Sequence, residues 1–142
     1  LKKIQRKREK ISKDYFNLIS NYSRYIFSYF PNKKFKSAWY RFYIFLNPNL
    51  NNYKKIRFKI IENLKKNNLK CFTGSCPEIY LEKSFKNLKN YKNFRLKNCK
   101  KLGETSIALE INHTLPYSQH KKNLSILKKE IENFFECLDF QR

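Results

Sequence analysis

The sequence is poor in the residue types that form special backbone sites and metal centres. Among 142 residues there are two glycines, four prolines, four cysteines, two histidines and no methionine. Both glycines fall at expected turns, so no Gly-rich loop remains to hold a phosphate. The four cysteines lack the spacing of a disulfide framework, which is typical of a protein from a reducing compartment. These shortages argue against phosphate-loop enzymes and disulfide-rich secreted domains.

Long apolar segments are also missing. No run of about 18 apolar residues occurs, so the sequence predicts no membrane-spanning helix. The chain begins with the residues LKKIQR, which lack the apolar core of a signal peptide. We therefore expect a cytoplasmic protein.

Acidic residues are scarce, and the chain carries a formal net charge of +21. Such a charge is common in nucleic-acid-binding proteins, in which clustered Lys and Arg contact phosphates. Here lysine outnumbers arginine 25 to 7, and the lysines are spread along the whole chain together with 17 asparagines. This composition is typical of a genome of low GC content and argues against specific phosphate recognition, which favours arginine. A small lysine-rich nucleic-acid-binding module remains the alternative interpretation.

The chain does contain enough apolar and aromatic side chains for one folded unit. Hydrophobic residues make up 41% and aromatic residues 17% of the sequence, which argues against disorder. Apolar residues at helical spacing predict helices near 53–67 and 119–138. An aromatic and β-branched run near 38–46, a short run near 69–73 and an alternating run near 105–111 predict strands. Together they predict an α+β fold, with a small three-stranded sheet packed on helices.

A long amphipathic helix is expected over residues 1–25, where apolar side chains recur at steps of three and four. This helix has no N-cap residue and the chain has no initiator methionine, so we expect the C-terminal fragment of a longer protein, with the helix projecting toward a missing neighbour. A mobile loop is expected over 86–94. A short helix should follow near 94–102, with Gly103 as its left-handed C-terminal cap.

The most informative stretch covers residues 71–85 and reads CFTGSCPEIYLEKSF. Gly74 can take a positive φ and Pro77 has a fixed φ, so a sharp turn followed by a short helix starting at Pro77 is expected. Cys71 and Cys76 do not have the spacing of a zinc site. The simplest interpretation of Cys71 is a small buried residue, and a Cys–His nucleophile pair is the alternative.

This stretch and a second block resemble the C-terminal part of the pyridoxal-phosphate (PLP)-dependent nucleotide-sugar aminotransferases, the DegT/DnrJ/StrS family. Similar members carry a GSCxEIYLEKxF block and then an LGETS block, which leads into a strand that ends in HPTL. The first block is matched from Gly74 to Phe85 and the second from Leu102 to Ser106. Two blocks in the right order make the resemblance specific.

The resemblance weakens at both sides of these blocks. Residues 38–43 are similar to an AWYxFY segment of the family. In place of HPTL the chain has Asn112-His113-Thr114-Leu115, so His113 is displaced by one residue. A shift of one residue along a strand moves a side chain to the other face, which is where His113 is expected.

The resemblance implies that the intact protein transfers an amino group to a keto-sugar nucleotide, in surface-polysaccharide or amino-sugar biosynthesis, with PLP as cofactor. Residues 31–142 would form a small domain similar to the C-terminal domain of fold-type-I PLP enzymes, and residues 1–30 would be the connecting helix. The lysine that binds PLP would lie in a missing N-terminal domain, so the fragment would be inactive alone. The intact enzyme would be a homodimer that uses a nucleotide-sugar substrate and an amino-acid donor.

Within this chain, the resemblance implies a rim that touches substrate and no catalytic, cofactor-binding or metal-binding residue. The expected substrate-binding residues are Gly74, Ser75, Cys76, Glu78 and Tyr80. The alternative is that this turn only packs two domains together.

Overall fold

The computed structural model describes residues 1–32, 34–74, 76–85 and 95–139, with side chains described as far as residue 135. The α-helices are α1 (Lys2–Ser20), α2 (Tyr53–Lys66), α3 (Lys97–Thr105) and α4 (Tyr117–Asp139), and the strands are β1 (Ile26–Phe27), β2 (Arg41–Leu46), β3 (Cys71–Phe72) and β4 (Ser106–Glu110). Two three-residue 3-10 helices, Ile79–Leu81 and Lys83–Phe85, lie between β3 and α3. None of the described helices is apolar over a length that could cross a bilayer. The loop expected over 86–94 lies outside the described residues.

The predicted α+β fold is confirmed, but the sheet has four strands and not three. The strands are antiparallel in the order β1-β2-β4-β3. The strand that the sequence did not predict is β1, whose residues Ile26 and Phe27 pair with Leu46 and Phe45. Two residues are too few to show a period of two, so β1 is recognisable only from the strand beside it.

One face of the sheet, which we call the inner face, carries the hydrophobic core. Burial alternates along β2, so that Phe42, Ile44 and Leu46 are buried. Three helices pack on this face through Tyr15 and Ile19 of α1, Ile60, Ile61 and Leu64 of α2, and Leu127, Ile131 and Phe135 of α4. Each large apolar side chain buried in this way contributes about 1.5–3 kcal/mol to folding. The helices predicted near 53–67 and 119–138 are thus confirmed as core elements.

The opposite face, which we call the outer face, is aromatic and partly open. The ring of Phe27 stacks on that of Phe45 with centroids 5.6 Å apart, and Tyr43 stacks on Phe45 at 6.3 Å. The sequence predicted that only one face of β4 is buried, but Ser106 and Ala108 on the outer face are buried as well. They are covered because neighbouring side chains and the chain that follows β3 lie over this part of β4.

The first helix packs on the domain itself. A helix over 1–25 that projects toward a missing neighbour was expected, but Tyr15 is only 2% exposed and its ring stacks on that of Phe42, with centroids 5.8 Å apart. Only the beginning of the helix, from Leu1, stays outside the core. The expected projection is therefore wrong for the second half of α1, because its apolar stripe packs on the inner face of this chain's own sheet. A domain boundary after residue 30 stays a prediction.

Helix α3 also differs from the prediction. The sequence predicted a helix near 94–102 that ends in a left-handed cap at Gly103, whereas α3 continues through Gly103 without a positive φ. A Cβ at this position would lie 2.1 Å from Cγ and 2.3 Å from Cβ of Pro77. The glycine is needed because the proline ring lies directly against the helix.

Candidate functional site

The predicted turn at Gly74 follows β3 and lies on the outer face. Gly74 has a φ of +94°, the positive value expected from the sequence. A Cβ here would lie 2.7 Å from Oγ of Ser106 and 3.5 Å from a ring carbon of Tyr43. The position therefore requires glycine for two reasons, which are its backbone conformation and its close approach to β4.

Arg57 of α2 anchors this turn to the sheet. Its NH2 group donates to the carbonyl oxygen of Thr73 at 2.6 Å, and its Nε donates to the carbonyl oxygen of Ser106 at 2.7 Å. The Ser106 hydroxyl donates to the same Thr73 oxygen at 3.0 Å. Burial lowers the pKa of the Arg57 guanidinium, but arginine remains charged, so both of its hydrogen bonds are charge-assisted. Sequence reasoning did not identify Arg57. The rarity of arginine in so lysine-rich a chain was the one sign that this residue has a specific structural role.

The two cysteines near the turn are protonated thiols. Burial raises the pKa of Cys71 to about 11, and its Sγ donates to the carbonyl oxygen of Ile61 at 3.6 Å. Cys76 is exposed and donates to a carboxylate oxygen of Glu82 at 3.2 Å, and this hydrogen bond raises its pKa. A nucleophilic cysteine needs a partner that lowers its pKa. In the described ranges no three His, Cys, Asp or Glu side chains group as a metal site requires.

Glu78 and Tyr80 meet Arg95 in one hydrogen-bonded cluster. The Glu78 carboxylate accepts the Tyr80 hydroxyl at 2.8 Å and both Nε and NH2 of Arg95 at 2.9 Å. The Tyr80 oxygen accepts the backbone N–H of Leu96 at 2.9 Å. The cluster ties the 3-10 helices, which stand where a helix starting at Pro77 was expected, to the segment leading into α3. Sequence reasoning did not identify Arg95.

The cluster keeps Glu78 ionised. The hydrogen bond from Tyr80, followed by the hydrogen bond and charge of Arg95, lowers the pKa of Glu78. Burial raises the pKa of Tyr80, whose proton is held by Glu78. A general acid or base works best with a pKa near the working pH. Glu78 and Tyr80 are therefore not poised for proton transfer. Their hydrogen bonds instead hold this segment in one conformation, with its surface open to a ligand.

The expected substrate-binding residues have different neighbours in the fold. Gly74 lies against β4, Cys76 faces Glu82, and Glu78 and Tyr80 bind Arg95. Ser75 lies outside the described residues. Contact of these residues with a substrate stays a prediction.

We expect the stability contributed by the Glu78 cluster to fall in acid. Because the pKa of Glu78 is lower in the folded state than its ordinary value, the contribution is complete above the ordinary glutamate pKa and is lost as the pH falls through the lower, folded-state pKa. Urea unfolding of the parent and of Glu78→Gln, from neutral pH to about pH 3, should show a stability difference that shrinks toward acid. Glu62→Gln is the matched control, since Glu62 lies on α2 and forms an exposed ion pair with Lys66 of the same helix. A difference that is constant with pH would contradict the assignment.

His113 lies in a turn beyond the end of β4. Asn112 closes this turn, because its Oδ1 accepts the backbone N–H of Thr114 at 2.9 Å and the Thr114 hydroxyl at 2.7 Å. The expected position of His113 on the opposite face of the strand is wrong, because β4 stops before it. Its side chain instead lines a small cavity with Arg8 and Arg41.

The described residues do not fit a PLP site. The lysine that binds PLP must be a neutral amine, which requires burial or cationic neighbours. Every lysine that the structure describes is exposed. The pKa of Lys54 is raised, first by its hydrogen bond to Glu104. No step of PLP chemistry is therefore assigned to the described side chains.

No family model and no curated protein matches this sequence, but solved structures do. An aminotransferase from Psychrobacter cryohalolentis matches 93% of this chain with a TM-score of 0.74 and 25% sequence identity. Helicobacter pylori PseC, an aminotransferase involved in the biosynthesis of pseudoaminic acid, matches 92% with a TM-score of 0.74 and 21% identity. A DegT DnrJ EryC1 StrS aminotransferase from Brucella abortus matches 88% with a TM-score of 0.68 and 13% identity.

The chain has the fold of one part of a DegT-type aminotransferase. It spans 34%, 33% and 30% of these three chains, about a third of their length. The resemblance drawn from the two sequence blocks is confirmed at the level of the fold, because aminotransferases, one of them described as a DegT DnrJ EryC1 StrS aminotransferase, match 88–93% of this chain.

Proposed function

We propose that this chain is the small domain of a PLP-dependent aminotransferase that transfers an amino group to a keto-sugar nucleotide. The match of 93% of the chain to about a third of an aminotransferase, at a TM-score of 0.74, carries the proposal. The two family-like sequence blocks support it, because Pro77 of the first packs on Gly103 of the second. Blocks recognised separately in the sequence therefore form one structural unit.

In this proposal a larger domain binds PLP, and the intact protein is a cytoplasmic homodimer that takes its amino group from an amino acid. When bound, PLP supplies the electron sink for amino transfer. The turn of this chain forms a rim at the mouth of the site, held by Arg57 and by the Glu78 cluster. Rigid support of this kind keeps contact groups in one geometry while substrate binds.

We expect that the chain alone does not catalyse transamination. More than about 99% of an unperturbed lysine is protonated at neutral pH, so adducts with PLP should be scarce and spread over many lysines. Purified chain is mixed with PLP, reduced with borohydride and mapped by peptide mass spectrometry, and amino transfer from glutamate to a keto-sugar nucleotide is assayed. One dominant modified lysine together with turnover would contradict the expectation.

A chimera gives the positive test. In it, this chain replaces the third of the Psychrobacter cryohalolentis enzyme that it matches. We expect the chimera to bind PLP and to transfer an amino group to a keto-sugar nucleotide, whereas the enzyme with that third deleted should not. A folded, PLP-loaded chimera that is inactive with the substrates of the parent enzyme would count against the proposal.

The outer face favours a second candidate function, single-stranded nucleic-acid binding. Tyr29 is 71% and Phe72 is 40% exposed, and aromatic rings on a basic surface can stack on bases. A nucleic-acid module with a net charge of +21 should shift oligonucleotides at micromolar concentration and lose affinity steeply as salt rises. An aminotransferase domain should show only weak retention driven by its lysines. Gel shifts over a salt series separate the two functions.

A further inference from the structure

The peptide unit between Thr73 and Gly74 is held by two hydrogen bonds to one oxygen atom. The NH2 group of Arg57 donates to the carbonyl oxygen of Thr73 at 2.6 Å, and the Ser106 hydroxyl donates to the same oxygen at 3.0 Å. A carbonyl oxygen has two lone pairs, so both are occupied here. The peptide plane therefore cannot rotate unless both hydrogen bonds break.

Arg57 bridges two backbone carbonyls that belong to different parts of the sheet. Its Nε donates at 2.7 Å to the carbonyl oxygen of Ser106 at the start of β4, while its NH2 group reaches Thr73 just after β3. A guanidinium presents several donors in one rigid plane, whereas a lysine ammonium is a single point donor on a flexible stem. A lysine at position 57 would therefore not hold both carbonyls in this geometry.

These hydrogen bonds also connect the two sequence blocks that resemble the aminotransferase family. Thr73 directly precedes the first block, which begins at Gly74, and Ser106 is the last residue of the second. Arg57 belongs to neither block and comes from α2. A buried serine of the second block and an arginine from a separate helix therefore act on the same peptide unit at the start of the first block.

A fixed carbonyl at Thr73 also fixes the N–H of Gly74. In a trans peptide the C=O and N–H bonds lie in one plane and point in opposite directions, and none of the described peptide bonds is cis. The N–H of Gly74 therefore points away from Arg57 and from the Ser106 hydroxyl. No described group accepts a hydrogen bond from this N–H, so it is a donor held in one direction at the turn.

We propose that Arg57 and Ser106 are positioning residues, which orient the backbone N–H of Gly74 as a hydrogen-bond donor to an oxygen atom of the substrate. This inference rests on the proposed function, because it requires the turn to lie at the mouth of an aminotransferase site. A donor that is oriented before the substrate arrives needs no rearrangement when the substrate binds. Glycine suits the position because no side chain shields its N–H.

Nuclear magnetic resonance of the full chain tests the positioning directly. The chain has two glycines, so ¹⁵N-labelled glycine gives two backbone signals, and the signal that disappears in Gly103→Ala belongs to Gly103. We expect the order parameter of the Gly74 N–H to be about 0.85 in the parent and to fall below about 0.6 in Arg57→Lys. Ser106→Ala should lower it as well, because one of the two hydrogen bonds is lost. The Gly103 signal should stay rigid and shows that each variant is folded.

The chimera with the Psychrobacter cryohalolentis enzyme tests the contact with substrate. We expect Arg57→Lys and Ser106→Ala in the chimera to raise the KM for the keto-sugar nucleotide about tenfold, as for the loss of one well-placed hydrogen bond. The rate of the half-reaction with glutamate should not change, whereas general damage to the fold would slow both half-reactions. Arg6→Lys is the matched control, because it makes the same change at an exposed position of α1.

Several results would overturn the proposal. A Gly74 N–H that stays rigid in both Arg57→Lys and Ser106→Ala would refute the positioning. If the N–H becomes mobile but the KM of an active chimera stays the same, the contact with substrate is refuted and the proposed function stands. Equal effects of Arg6→Lys and Arg57→Lys on the KM would also refute the contact. A folded, PLP-loaded chimera without activity would count against the proposed function and the contact together, while the order parameter still decides the positioning.

Discussion

Gly103→Ala is expected to lower the free energy of unfolding by about 1–3 kcal/mol, the usual cost of an extra methyl group at a well-packed position. At an ordinary helix position the same change would raise stability by up to about 1 kcal/mol, because alanine is the better helix former. The sign reverses here because the new Cβ would lie 2.1 Å from Cγ of Pro77. Urea unfolding followed by circular dichroism measures the change.

Substitutions of Pro77 show whether the contact between residue 103 and the proline ring causes the loss of stability in Gly103→Ala. Pro77→Gly removes all three ring carbons that approach Gly103, so Gly103→Ala in that background should be neutral or stabilising. Pro77→Ala keeps the Cβ that would lie 2.3 Å from the added atom, and it should restore little stability. If Gly103→Ala alone were as stable as the parent, with residues 76–85 equally protected from proteolysis, the packing of the turn on α3 would be refuted.

Gly74→Val is expected to lower the melting temperature by several degrees, and by more than Cys71→Ser does. A β-branched residue at a φ of +94° is strained by about 1–3 kcal/mol, and its Cβ would also lie 2.7 Å from Oγ of Ser106. Cys71→Ser replaces the buried Sγ by a smaller oxygen at a position of ordinary backbone conformation and adds no atom to the core. Thermal unfolding of the two variants beside the parent gives the comparison.

The strain and the clash at Gly74 can be separated. Gly74→Ala in a Ser106→Ala background removes the oxygen at 2.7 Å and leaves the nearest remaining side-chain carbons at 3.5 Å, an ordinary contact distance. If the Gly74→Ala, Ser106→Ala double variant is still less stable than Ser106→Ala alone, the difference measures the backbone strain. Equal melting temperatures of Gly74→Val and the parent would show that the turn assignment is wrong.

Arginine and lysine have different places in this protein. Every described lysine is exposed, so the large positive charge lies mostly on solvated side chains. Arg57 and Arg95 instead form short hydrogen bonds that hold the turn, and Arg41 stacks on two rings. This agrees with the chemistry of guanidinium, which makes several directed hydrogen bonds in one plane. The net charge alone is therefore a poor guide to function here.

The sequence by itself determined the elements whose signal is local. Helices α2 and α4 show apolar residues at helical spacing, β2 and the inner side of β4 follow their expected pattern, and Gly74 has the positive φ that its neighbours predicted. Two short motif blocks were also enough to identify the aminotransferase fold that the structures confirm. Such features need no knowledge of what packs beside them, because they depend on residues a few positions apart.

Only the tertiary structure decided the features that depend on residues far apart in the chain. Strand β1 exists because β2 lies beside it, α1 docks because the inner face offers a matching surface, and Gly103 is a glycine because Pro77 packs against it. The motif pointed to Glu78 and Tyr80, but not to their partner Arg95. Hydrogen-bond partners and close packing are set by the mutual positions of whole elements, and local periodicity carries no information about those positions.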